Sequence, residues 1–199
     1  PPASPSGTVA LNVGSPTYSP AVGAGATRCF LLEAPQDADT LLTGFALDSS
    51  PVHAVKQAAL YALDGAEQAA AARKLDAEDA EPGWTCYGGS RVAGSRPLAS
   101  WSWGVPEQRM PASSGLPLRS KAPLVLLLRY NVTRSGFSGR PVTAKLSLAT
   151  QGSARSARLL PLRAEGFDLK REQRQTEITS ELVISEPLEL HGLMPHMHT

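Results

Sequence analysis

The run PLVLLLRYNV, Pro123 to Val132, decides how this chain is read. It sits in the longest apolar stretch, APLVLLL (Ala122 to Leu128), far short of the roughly 20 residues that span a bilayer as a helix. It has the length of a strand and turn-forming residues at its borders. Three other stretches repeat that design: TRCFLLEAP (Thr27 to Pro35), DTLLTGFAL (Asp39 to Leu47) and PVTAKLSLAT (Pro141 to Thr150). TAKLSLA alternates polar and apolar residues, as a half-buried strand does, and TEITSELVI places Ile178, Leu182 and Ile184 on one parity. Seventeen Gly and seventeen Pro punctuate these runs along the whole chain. Short strands with turns between them predict an antiparallel β-sandwich.

One segment breaks the pattern. LDGAEQAAAARKLDAEDAEPG (Leu63 to Gly83) is rich in Ala, carries acids near its start and ends at Pro82-Gly83. It predicts a single helix between strands, capped by Asp64, and its AEQAAAARKL core reads as a solvated surface insert.

At 199 residues the chain can bury one sizeable core, or one domain and the start of a second. Lys and Arg number 19 against 18 acids, a formal charge of +1. The best basic cluster, DLKREQRQTE (Asp168 to Glu177), is interleaved with acids, which argues against nucleic acid or a membrane surface as partner. The opening PPASPSG (Pro1 to Gly7) has no signal-peptide pattern and reads as a linker left by processing or by the design of the expressed chain. Cys29 and Cys86 permit one disulfide, and neither sits in a CxxC pair; composition leaves a bond and two buried thiols equally open. Asn131-Val132-Thr133 fits the short N-glycosylation sequon. Phosphate-loop, GxSxG and HExxH patterns do not occur.

Four landmarks follow one another in a telling order: ATRCFLLE (Ala26 to Glu33), VKQAALYALD (Val55 to Asp64), LVLLLRYNV (Leu124 to Val132) and LMPHMHT (Leu193 to Thr199). GWTCYGG and SWSWGVPEQRMPASSGLPL lie between them. In order and spacing, the stretch from Ala26 to Thr199 resembles the type II copper, ascorbate-dependent monooxygenases, the family of the peptidylglycine α-hydroxylating and dopamine β-monooxygenases. The resemblance implies two successive jelly-roll domains, each with one copper. The expected organisation is therefore a linker over 1–25, a first sandwich over 26–172, and the truncated start of a second, similar domain over 173–199. It also implies a Cys29–Cys86 disulfide and, with it, an extracytoplasmic compartment (periplasmic, cell-surface or secreted).

Where the family holds its first copper, the match fails. Its adjacent histidines fall on Lys56 and Gln57, and a third falls on Arg129. Ammonium and guanidinium have no lone pair to offer a metal. His53 lies three residues off register and reads as an exposed strand-edge histidine rather than a substitute. His196 and His198 fall where the resemblance puts the His-x-His pair of the second copper site, with Met194 as a weaker candidate ligand. Residues two apart in a strand share a side, so both imidazoles can reach one ion. No other cofactor is implied.

These features predict a non-catalytic relative with no catalytic residues, kept as a structural or protein-binding module in an extracytoplasmic assembly. Two alternatives keep copper: a hydroxylase using a single ion at His196 and His198 completed from outside this chain, and a periplasmic copper-binding protein. Trp84, Trp101, Trp103 and Tyr87 read as packing a core and its covering loops rather than as a contact surface; a sugar-binding sandwich is compatible with them, without a residue that selects it.

Overall fold

The computed structural model describes residues 9–21, 26–33, 37–105, 107–111, 114–132, 139–151, 155–160, 162, 172–173 and 175–193. The predicted all-β sandwich with a single helix is what forms. The strands are β1 (Val9–Gly14), β2 (Thr27–Leu32), β3 (Thr40–Ser50), β4 (Val55–Ala62), β5 (Trp84–Thr85), β6 (Arg96–Ser102), β7 (Gln108–Arg109), β8 (Ser114–Leu118), β9 (Leu124–Tyr130), β10 (Thr143–Gln151) and β11 (Arg155–Ser156). The helix α1 (Ala66–Glu78) follows β4.

One sheet runs β1-β10-β3-β8-β11, with β7 also on β3; the other runs β5-β2-β9-β4-β6. Setting aside the two-residue strands β5, β7 and β11, successive strands alternate between sheets except at β4 and β6, which pair with each other. That winding, first and last strands adjacent in one sheet, is the jelly roll. All ladders are antiparallel except β11 with β8.

Alternation explains the burial. In β9, Leu124, Leu126, Leu128 and Tyr130 face inward and meet Phe30 and Leu32 of β2 and Ala58, Leu60 and Ala62 of β4. From the opposing sheet come Phe45 and Leu47 of β3, Leu116 and Leu118 of β8, and Leu146 and Leu148 of β10. PLVLLLRYNV supplies the central strand of its sheet.

The outer face of that sheet carries a second, smaller core. Cys29, Val125, Leu63, Trp84, Cys86, Val92 and Ala72 pack together there, and Leu75 of α1 lies against them. So α1 is more than the solvated insert expected: Ala69 and Ala72 are buried and cover the sheet. Its cap also differs. Gly65 occupies the N-cap, and Gln68 Oε1 accepts the Gly65 N–H at 3.1 Å. Asp64 is drawn away by Arg96, which donates Nε–H at 2.7 Å and Nη2–H at 3.0 Å to its two oxygens. A bidentate guanidinium outcompetes a backbone cap for the same carboxylate.

Two boundaries differ from expectation. Residues 9–14 of the expected linker are a full strand, paired with β10 from Val9↔Thr150 to Gly14↔Lys145, and Tyr18 is buried in the main core. An opening rich in Pro and Ser conceals a strand whose partner lies over 130 residues away in sequence. At the other end the chain divides at Arg158/Leu159, earlier than the expected 172/173. The strand expected at TEITSELVI is not formed: residues 175–193 have no ladder partner among the described residues. A strand cannot exist on alternation alone, because its backbone N–H and C=O groups need a neighbour.

Candidate functional site

Cys29 in β2 and Cys86 just after β5 are bonded to each other and fully buried. β5 pairs with β2 through Arg28↔Thr85 and Cys29↔Trp84, so the ladder holds the two cysteines at adjacent strands. Trp84 closes the bond from solvent, its indole Nε1–H donating to Ser90 O at 3.0 Å.

The residue before Cys29 in β2 escaped sequence reasoning. Arg28 points into the sandwich with its side chain only 3% exposed, beside Tyr18, whose ring centroid is 5.0 Å from the guanidinium carbon. Its donors are all used. Nε–H goes to Pro82 O at 2.9 Å, and Nη1–H groups go to Asp79 Oδ2 at 2.9 Å and Thr85 Oγ1 at 3.2 Å. Nη2–H groups go to Asp79 Oδ1 at 2.7 Å, Glu81 O at 2.8 Å and Gly83 O at 2.9 Å. Asp79 is the C-cap of α1, so this one side chain ties the helix exit to the sheet. The hydrogen bond from Arg28 holds the Asp79 carboxyl below the usual aspartate range. The only sequence signal was a cation inside an apolar strand run, RCFLL.

The three positions where the resemblance calls for copper ligands lie on β4 and β9 of the same sheet. Gln57 of β4 is directly opposite Arg129 of β9, and Arg129 Nη1–H donates to Gln57 Oε1 at 3.4 Å. Lys56 has no opposite number, because the β4–β9 register skips from Val55↔Tyr130 to Gln57↔Arg129. That bulge breaks alternation, so Lys56 and Gln57 are both half-buried while Val55 and Ala58 are both in the core. Gln57 also opposes Ser102 of β6, and Arg129 opposes Thr27 of β2. Ser102, Gln57, Arg129 and Thr27 therefore form one row across four strands, on the outer face.

Trp103 follows Ser102 directly, past the end of β6. Of the three tryptophans, Trp84 and Trp101 are buried, as expected, but Trp103 is 50% exposed and Tyr87 67%. β6 ends at Ser102, so Trp101 points inward and Trp103 enters a turn where the parity of a strand no longer applies. Its N–H donates to Lys56 O at 2.9 Å, and Val105 N–H to Ser102 O at 3.1 Å. The His53 ring meets the indole edge-on at 4.9 Å between centroids. His53 is exposed, as expected, but in the turn before β4, with φ 67°. Asn131 of the sequon is buried, its N–H donating to Ala54 O at 2.7 Å and its amide to His53 O at 3.4 Å. A buried, bonded amide is closed to a glycan in the folded state.

Met194, His196 and His198 lie outside the described residues. His191 is described, with Nε2 3.8 Å from a Glu189 carboxylate oxygen. Among the described residues no three His, Cys, Asp or Glu side chains converge as metal ligands. A cleft of about 470 Å³ opens beside the start of α1, where Asp39, Asp64, Arg73, Arg119 and Lys121 alternate in charge. Its carboxylates are taken: Asp64 by Arg96, and Asp39 by the Ser120 N–H at 2.7 Å. No described helix is long and apolar enough to cross a membrane. No family model matches this chain, and no curated protein matches it either.

Proposed function

We propose that the chain is a non-catalytic, copper monooxygenase-like β-sandwich that serves as a structural or protein-binding module outside the cytoplasm. The observation that carries this is the Gln57–Arg129 pair. At the two facing strand positions where the resemblance calls for imidazole stand an amide and a guanidinium, bonded to each other at 3.4 Å. Guanidinium stays protonated at any working pH and repels a cation. The bulge that leaves Lys56 and Gln57 on neighbouring positions off the core is the kind of backbone that would let two adjacent side chains converge on one ion, so the scaffold is compatible with an ancestral site and the side chains are not. The fully buried Cys29–Cys86 bond favours an oxidising compartment.

A protein partner is supported by the second unit. Val183 is 91% exposed, Leu193 83% and Leu190 68%, in a stretch with neither helix nor strand. Exposed apolar side chains of this kind suit a segment completed by other protein, either a second domain or a separate chain. Oxygen uptake by the copper-supplied chain in the presence of ascorbate tests the non-catalytic assignment. The expected rate equals that of free copper with ascorbate; a chain-dependent increase would restore the hydroxylase assignment through His196 and His198.

A further inference from the structure

We propose that the apolar, acidic segment 175–193 docks into a groove of a partner protein that is itself apolar and lined by cations. This rests on the protein-binding assignment made above and adds the chemistry of the partner. Leu182, Val183 and Ile184 are exposed one after another, and Leu188, Leu190 and Leu193 follow them, also exposed. Contiguous apolar surface of this kind marks a place that other protein covers.

Charge narrows what can cover it. From Gln175 to Leu193 the sequence carries four Glu and neither Lys nor Arg. Glu181 and Glu186 bracket Leu182, Val183 and Ile184, Glu177 precedes Ile178, and all three acidic residues are exposed. Glu189 meets His191 at 3.8 Å and is not needed for the docking. A partner that covers the three consecutive aliphatic side chains also takes Glu181 and Glu186 out of water. Cations on the partner's surface offset that desolvation, and a neutral or acidic surface does not. Phosphate-rich surfaces, whether lipid or nucleic acid, repel the same segment. The backbone favours a groove over a flat face. Residues 175–193 have neither helix nor strand, so their N–H and C=O groups need new partners wherever they are covered. Pro187 has no N–H to give a helix and biases Glu186 away from helical backbone. A non-helical segment in a groove can use its backbone groups and its apolar side chains together.

The test is calorimetric titration of the full chain with octapeptides that alternate Val with Lys, Val with Glu, or Ser with Lys. The Val-Lys peptide should bind with Kd below about 100 μM at low salt, and the Val-Glu peptide about tenfold or more weakly. The Ser-Lys peptide has the charge without the apolar surface and should also bind about tenfold more weakly. Glu177→Gln, Glu181→Gln and Glu186→Gln together should weaken the Val-Lys peptide by about tenfold, and added salt should weaken it for the unmodified chain. These residues lie in the second unit, outside the sandwich, and an unchanged melting temperature establishes that the sandwich still folds. Equal binding of the Val-Lys peptide by the triple variant overturns the proposal, as does a Ser-Lys peptide that binds just as tightly. If Val-Lys and Val-Glu peptides bind equally and Leu182→Ser with Ile184→Ser abolishes both, the proposal falls while the protein-binding assignment stands. If no peptide binds, both fall.

Discussion

At the scale of single residues, two inward-facing polar side chains in the β2–β9–β4 sheet behave oppositely. Arg28 is buried and fully bonded, so removing it strands three carbonyls and a carboxylate. Arg28→Ala should cost about 3 kcal/mol or more, read from urea unfolding. Its effect on acid stability has a definite sign. Because Asp79 is held below its unfolded pKa, its contribution is complete above about pH 4 and is lost as pH falls through the lower folded value. Replacing Arg28 should therefore flatten the decline of stability below about pH 4 relative to the unmodified chain. Tyr130 is the reverse case: its hydroxyl is buried without a partner among the described residues, and burial, then the neighbouring Tyr18, push its pKa far up. An unmatched buried hydroxyl costs about 1 to 3 kcal/mol, so Tyr130→Phe should leave the melting temperature unchanged or raise it. A drop of several degrees would reveal a partner for that oxygen. Neither role was legible in the sequence. Arg28 meets hydrogen-bond partners 51 to 57 residues away, a separation that local pattern does not report.

Elements were legible in proportion to how local their causes are. β2, β3, β9 and β10 follow from apolar runs bounded by turns, and the helix from its alanines. The cap of α1 did not follow, because Arg96 claims Asp64 from 32 residues away. The fate of Trp103 did not follow either: WSW looks like one side of a strand, and only the end of β6 at Ser102 separates its two indoles. The β5–β2 pairing makes a prediction of its own. The Cys29–Cys86 bond joins residues 57 apart, and loop-closure entropy assigns it about 4 kcal/mol. Cys29→Ala with Cys86→Ala should lower unfolding free energy by about that amount, and the buried bond should resist mild reductant in the native state. A loss under about 1 kcal/mol would mean that β5 and the loop after it contribute little to holding the sheet.

For the molecule as a whole, the sandwich could be read from strand count and punctuation, whereas the jelly-roll winding was expected only through the resemblance. It depends on β1 lying beside β10, the two ends of the first unit's main strands. The candidate site was half legible. Substitution at Lys56, Gln57 and Arg129 is visible in the chain, but the pairing of Gln57 with Arg129, the bulge at Lys56 and the exposed Trp103 indole arise only on folding. We propose that this end of the β4–β9 ladder keeps the scaffold of a copper site without the ability to hold copper. It is tested most directly by copper titration in a His196→Ala/His198→Ala background, which removes the tail histidines from the signal. In that background the chain should retain no copper after desalting. Adding Lys56→His, Gln57→His and Arg129→His together should create binding of one equivalent, because cross-strand partners with Cβ atoms about 5 Å apart can share an ion. Copper retained before those three changes, and lost on mutating Gln57, would contradict the claim.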